Sequence, residues 1–168
     1  MILLVAHGVP PNDFPAEERN EFFGLAGRLG RAAPGERKAL EERRRVLEDR
    51  MRNWPRTREN DPFYFASREL AEGLGGAAGL EVRLAFNEFC APDMDTALEG
   101  MAGDGAGRIV VATTMMTRGG EHSETEISKS IEAARRRRPL VEIIYAWPYQ
   151  TGELAEFLSA HIRHFLTG

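Results

Sequence analysis

Cysteine is almost absent from this chain: Cys90 stands alone in 168 residues. A lone thiol excludes an internal disulfide and leaves secretion without support. No apolar run approaches the roughly 18 residues that cross a bilayer, so no membrane partner is expected. Signature motifs are missing too. No GxGxxG follows the first apolar segment and no GxxxxGK[ST] occurs anywhere, so dinucleotide and P-loop nucleotide binding lack their phosphate cradles. A GxSxG elbow is also absent, which weakens an α/β-hydrolase reading. The first apolar segment opens at Met1 with no basic leader or cleavage site before it, and a cytoplasmic protein is expected.

What is present fits one soluble globular domain. The chain is 42% apolar and 29% charged, with a net charge of −4. The charge is uneven. Between Arg31 and Arg58 ten Lys or Arg face five acidic residues, a local excess of +5 that leaves −9 for the remainder. Two readings stay open for this segment: an anionic partner, or a solvated helix laced with pairs such as Glu41 with Arg45. Its cations alternate with acids and lack interleaved aromatics, so nucleic acid is not expected.

Hydrophobic periodicity gives the order of elements. Residues 1–6 read as a buried strand, and Pro10-Pro11 force a loop. Helical spacing follows over 16–30, with Phe22, Leu25, Ala26 and Leu29 on one face. The segment 36–53 is strongly helical, but Leu40, Val46, Leu47 and Met51 are its only apolar points. So thin a stripe is expected over a cleft or against a partner subunit. A third helix, 63–74, should end at Gly75-Gly76. Strands are expected over 80–86, 109–112 and 141–145, separated by helices over 93–103 and 124–138. A closing helix over 152–166 should turn Leu154, Phe157, Leu158, Ile162 and Phe165 inward. Strands alternating with helices predict an α/β fold: a four-stranded parallel sheet with helices on both faces and a helical insertion, 31–62, after the first strand.

Chemistry-bearing residues collect where such a sheet binds ligands, at the carboxyl ends of its strands. Two of four histidines fall there, His7 after the first strand and His122 after the third. Glu88 follows the second strand. Ser123 and Glu126 have the spacing of a capping box, which would place Glu126 in the first helical turn beside His122. Imidazole and carboxylate together bind a divalent metal or pass a proton. His161 and His164 border the apolar stripe of the last helix, where a structural or surface role is expected. Cys90 reads as a small buried hydrophobe, Arg135 to Arg138 as cations at a helix C-terminus.

Three segments carry a family resemblance. Leu3-Leu4-Val5-Ala6-His7-Gly8, then Ala85-Phe86-Asn87-Glu88-Phe89 with Pro92, and Arg118-Gly119-Gly120-Glu121-His122 followed by Glu126-Ile127, resemble the small class II tetrapyrrole chelatases of the sirohydrochlorin cobaltochelatase or ferrochelatase type. The resemblance implies insertion of Co, Fe or Ni into a sirohydrochlorin-type macrocycle. It implies that His7 and His122 face the metal, that Glu88 assists, and that Glu126 is a second carboxylate. The divalent ion would be substrate, with no permanent cofactor, and the assembly a homodimer. Arg118 with Gly119 and Gly120 would meet a macrocycle carboxylate, and Trp147 and Tyr149 would line the same edge. Three departures stand out. Val9 replaces a usual Ser, Ser128 replaces the Pro of Asp-Ile-Pro, and Pro10-Pro11 with the enlarged first crossover resemble protoporphyrin ferrochelatases, which leaves the macrocycle open.

Two readings compete with a chelatase: a non-catalytic metal or tetrapyrrole carrier, and a structural or regulatory α/β domain. A hydrolase or phosphatase is weaker, because no convincing nucleophile lies beside the two histidines.

Overall fold

The run Ile2–Ala6 has no polar position, which suits a strand covered on both faces. In a computed structural model of the chain, which describes residues 1–166, it is the inner strand β1. It pairs in parallel with β2 (Val82–Phe86) on one side and β3 (Arg108–Thr113) on the other. Strand β4 (Glu142–Tyr145) adds to β3, giving the order β2-β1-β3-β4. The chain moves one way from β1 to β2 and the other way to β3. The topological switch point therefore lies between β1 and β3.

Among the described residues, five α-helices connect these strands, α1 (Ala16–Leu29), α2 (Pro34–Arg52), α3 (Pro62–Ala78), α4 (Met94–Gly103) and α5 (Ile127–Arg137), and α6 (Thr151–Leu166) follows β4. Two begin as their sequences dictate. Asp61 caps α3 by accepting the Tyr64 N–H with Pro62 in the first turn, and Asp93 caps α4 by accepting the Thr96 N–H. Leu3, Val5, Ile109, Val111 and Ile143 pack one sheet face against Met94, Leu98 and Met101 of α4 and Ile127 and Ile131 of α5. On the opposite face Ala6 and Phe86 pack with Phe63 and Tyr64 of α3. Among the described residues, no helix is long and apolar enough to cross a membrane.

Several expectations need correction. Helix α3 runs through Gly75-Gly76 and stops at Gly79, whose left-handed φ of +64° is the conformation glycine adopts without cost. Helix α2 is not an uncovered strap. Leu47 and Met51 are buried in a satellite core with Phe14, Phe22, Leu25 and Phe89, so α2 packs on α1. Arginines widen its thin stripe: Arg44 lies over Phe22, and Arg50 over Phe14 and Trp54. The basic excess is consumed locally as well. Arg43 and Arg50 pair with Glu21 and Glu18 of α1, and Arg45 takes Glu42 and Asp49 rather than Glu41. The Arg135–Arg138 cluster ties α5 to its neighbours. Arg137 pairs with Asp95 and Glu99 of α4, Arg138 with Glu99, and Arg135 donates to the Ile143 carbonyl.

The largest departure is α6. None of its side chains is buried: Phe157 is 61% exposed, Ile162 52% and Phe165 75%. Periodicity identifies an apolar face but not what covers it, and this chain leaves the face of α6 uncovered. His161 rests against the Phe165 ring, and both it and His164 are exposed.

Because Leu47 and Met51 are fully enclosed, Leu47→Ala is expected to lower the unfolding free energy by about 2–5 kcal/mol in chemical denaturation. A change below ~0.5 kcal/mol would show that α2 contributes no core.

Candidate metal and proton-transfer site

Backbone pairing between β1 and β2 continues past both strand ends. The Asn87 N–H donates to Ala6 O and the Glu88 N–H to His7 O, at 2.9 and 2.8 Å. Side chains leaving these strands are thereby held side by side. Gly8 permits the approach: at φ +89°, a Cβ there would sit 1.9 Å from the Glu88 carbonyl oxygen. On the other side of β1, the Thr114 N–H donates to Val5 O, which starts the β3 loop beside His7.

That loop turns at Gly119, φ +86°, and enters a π-helical turn over His122–Glu126, closed by the Ile127 N–H donating to His122 O. Such turns insert one residue and commonly mark functional sites. The expected capping box does not form. Ser123 is buried and its hydroxyl donates to Gly120 O, while Glu124 accepts the Gly119 N–H. The wider turn leaves the Ser123 carbonyl to accept from the Tyr145 hydroxyl and turns Glu126 toward His122.

His7, Glu88 and His122 converge, with one ligand atom from each lying within 4.8 Å of the others. The imidazoles meet edge to face at 4.8 Å between centroids, and His7 Nε2 lies 3.6 Å from a Glu88 oxygen. Partners select the tautomers. His7 Nδ1–H donates to Gly8 O at 2.6 Å, and His122 Nδ1–H donates to Glu126 at 2.8 Å. Both rings then present a bare Nε2 lone pair, the form that binds metal. Asn87 Nδ2 donates to the same Glu126 oxygen at 2.6 Å and orients the carboxylate against His122. The three side chains are 31–39% exposed, so the cluster faces outward and admits a ligand larger than the gap between them.

The Glu126 hydrogen bond raises the His122 pKa above its ordinary value against a smaller burial effect, with the Glu126, Glu88 and Glu121 charges adding. Burial would raise Glu126, but the hydrogen bonds from Asn87 and His122 outweigh it and hold its pKa down. The imidazolium–Glu126 contribution to stability is complete below the unfolded His value of ~6.5 and fades as pH rises through the raised folded pKa. The Glu126 contribution is complete above ~4.3 and is lost as pH falls through its lowered folded pKa.

Sequence reasoning missed the device that holds the two loops. Arg56, whose side chain is 7% exposed, pairs at 2.5 Å with Asp61, which is fully buried. It also donates to the carbonyls of Val9, Phe89 and Met51. Arg52 donates to the Asn87 and Cys90 carbonyls. Two arginines from the end of α2 and just beyond it therefore clamp the backbone on either side of Glu88 and next to His7. Only their placement around the helix end, Arg52 before Pro55 and Arg56 directly after it, hinted at this, and no local pattern reports partners 33 to 47 residues away. Cys90 is buried beside this pair, where burial pushes its thiol up to about 11 and keeps it from serving as a thiolate.

Of the other expected residues, Arg118, Gly119 and Gly120 are exposed in the loop after β3. Trp147 stacks on Tyr145 at the carboxyl end of β4. Tyr149 donates its hydroxyl to Thr113 O, which leaves only its ring for a ligand.

Comparison with known proteins sets this geometry in context. The CbiX family profile matches residues 56–162, a span that contains Glu88, His122 and Glu126 but not His7. The putative cobalamin (vitamin B12) biosynthesis CbiX protein from Marinobacter aquaeolei VT8 is 17% identical, with 99% of this chain and 96% of that chain covered at a TM-score of 0.54. The sirohydrochlorin chelatase SirB from Bacillus subtilis subspecies spizizenii, solved with cobalt, is 18% identical over 88% of this chain and 42% of its own, with a TM-score of 0.48. SirB from Bacillus subtilis with Fe3+ gives 18%, 88%, 39% and 0.48. This chain thus spans less than half the length of either SirB chain. At these identities the Marinobacter likeness speaks for the fold alone. No curated protein matches the chain in sequence.

Two outcomes test the site. In a proton NMR titration of the metal-free protein, His122 is expected to titrate above 6.5, and Glu126→Gln should move its midpoint down toward that value. An unmoved midpoint would separate Glu126 from the imidazole. Arg56→Met should cost roughly 3–5 kcal/mol, because it leaves the Asp61 carboxylate buried and unpaired. Adding Asp61→Asn should recover part of that loss, and a strictly additive pair would show that the two do not interact.

Proposed function

The chain belongs to the CbiX family, and from that premise we propose that it inserts a divalent metal ion, Co, Fe or Ni, into sirohydrochlorin or a related tetrapyrrole. The observation that carries this reading is the convergence of two imidazole Nε2 lone pairs and the Glu88 carboxylate on one outward-facing edge. Insertion replaces two pyrrole protons by one metal ion, so a site needs donors that hold the ion loosely and bases that accept two protons. Neutral imidazole suits these metals and releases them more readily than a thiolate cage. His7 and His122 present the metal, Glu88 accepts a proton beside them, and the Asn87–Glu126–His122 chain offers a route for the second.

The same edge supplies contacts for a flat, carboxylate-ringed ligand. Arg118 beside Gly119 and Gly120 faces a macrocycle carboxylate, and the Trp147 and Tyr149 rings lie along a macrocycle face. The metal is a substrate here, and no resident cofactor takes part. Residues 31–62 form a helical insertion within one chelatase-like domain. We place the working form in the cytoplasm as a homodimer. The unburied α6 supports the dimer, and the lack of a spanning helix among the described residues is compatible with the compartment.

Anaerobic incubation with sirohydrochlorin and each metal, followed by absorbance, tests the proposal. His7→Ala or His122→Ala should lower the insertion rate at least ~10-fold with the melting temperature nearly unchanged. Glu88→Gln should reduce the rate more than the macrocycle affinity, since it removes a proton acceptor and keeps the shape. Rates equal to the protein-free reaction for every metal would replace the chelatase with a carrier.

A further inference from the structure

The segment that delivers His122 is exposed along its middle and buried at both ends. Residues 116–121 face solvent, whereas Thr113 and Ser123 are 0% and 1% exposed. Each buried end offers a backbone carbonyl, and each carbonyl accepts a tyrosine hydroxyl from β4 or the segment after it. Tyr149 donates to Thr113 O at 2.7 Å, and Tyr145 to Ser123 O at 2.8 Å. Burial raises both phenol pKa values, so each hydroxyl keeps its proton and remains a donor.

The Tyr145 bond takes up a group that the chain itself strands. In an α-helix the Ile127 N–H would close on the carbonyl four residues back, that of Ser123. Here it closes on His122 O, and Ser123 O is the acceptor left over. A buried carbonyl needs a partner, and the Tyr145 hydroxyl supplies it. Without that hydroxyl, Ser123 O would draw the Ile127 N–H and the turn would tighten by one residue. Ile127 and Ile131 are fixed in the core at 0% and 1% exposure, so α5 does not turn to absorb the change. The residues before the turn would rotate instead, by ~100° about the helix axis, the step of one α-helical residue. His122 would then leave its edge-to-face contact with His7.

Neighbouring bonds do not hold the backbone of the turn in this way. The Ser123 hydroxyl on Gly120 O and the Glu124 carboxylate on the Gly119 N–H stay within the loop and the turn, and would travel with them. Asn87 reaches the turn only through side chains. Tyr145 ties the turn's backbone to β4, where its own backbone stands in register with Val111 of β3 and its ring packs against the core.

We propose that Tyr145 is a positioning residue for the site: its hydroxyl holds the π-helical turn open and thereby aims His122 at His7 and Glu88. The geometric claim stands on the contacts above, and its effect on metal insertion rests on the function proposed for the site.

Tyr145→Phe removes the hydroxyl and keeps the ring that stacks on Trp147, so the circular dichroism spectrum should be unchanged. Three readouts follow His122. A nuclear Overhauser effect between the His7 and His122 imidazole protons, whose ring centroids are 4.8 Å apart, should be present in the wild type and lost in the variant. The dissociation constant for divalent cobalt alone, read from its visible absorption, should rise at least ~10-fold, the scale of one lost hydrogen bond to a buried acceptor. In the insertion assay kcat should fall by a similar factor while KM for sirohydrochlorin stays the same. The control is a His122→Ala background, where Tyr145→Phe should cost no further cobalt affinity because its effect runs through that ring. An equal loss in that background would make Tyr145 a general support of the fold and overturn the proposal. A Tyr145→Phe protein with the wild-type Overhauser effect and cobalt affinity would overturn it too, as would a wild type that lacks the Overhauser effect. If the wild type binds cobalt but inserts no metal, the chelatase reading fails, and the first two readouts still decide the role of Tyr145.

Discussion

Everything at the site depends on β1 being paired on both sides in parallel register. Parallel pairing delivers the ends of three neighbouring strands to one edge, about 4.8 Å apart from strand to strand. That spacing is the scale of the His7, Glu88 and His122 cluster, so sequence separations of 81 and 115 residues collapse into contact distance. The ladder extends one step beyond β1 and β2, and Gly8 spares the loops a Cβ that would collide with the Glu88 carbonyl oxygen. Arg56 and Arg52 then fasten the same loops from behind through their carbonyls. The clamp works through the backbone, which leaves the His7 and Glu88 side chains on the open side.

Two demands on the imidazoles are met by their Nδ1 partners. A backbone carbonyl at His7 fixes the ring without adding charge, whereas a carboxylate at His122 fixes the ring and raises its affinity for a proton. The pair is therefore asymmetric. Under the proposed chemistry His7 serves as an oriented donor, and His122 as a donor that also takes up a proton. Asn87 makes this difference durable, because its amide occupies the Glu126 oxygen and keeps the carboxylate aimed at the ring.

The sheet, its order of elements and the meeting of His7, Glu88 and His122 were legible because each follows from strand periodicity and one topological rule. What escaped is non-local or depends on geometry that periodicity does not encode. The π-helical turn adds one residue and redirects Glu126 from a cap to a partner of His122, and the letters of a capping box read the same either way. Arg56 reads as one cation in a basic run until Asp61 and three carbonyls surround it. The thin stripe of α2 misled because arginine stems and guanidinium faces cover Phe22, Phe14 and Trp54, a contribution that a count of apolar residues omits. Helix α6 misleads in the opposite sense, since a full apolar stripe predicts a covering that its own chain does not supply.

Openness at the site and openness at α6 have different physical origins. The cluster is polar and part-exposed, so water hydrates the groups that lack a protein partner, exposure costs nothing, and room is left for a flat ligand. The α6 stripe has no such compensation, and exposed Phe157, Leu158, Ile162 and Phe165 favour burial at every encounter. Trp147 and Tyr149 join the two, since the same aromatic anchor that ends β4 on the edge carrying the site also sets the direction in which α6 leaves. A ligand pressing on those rings would act on the root of α6.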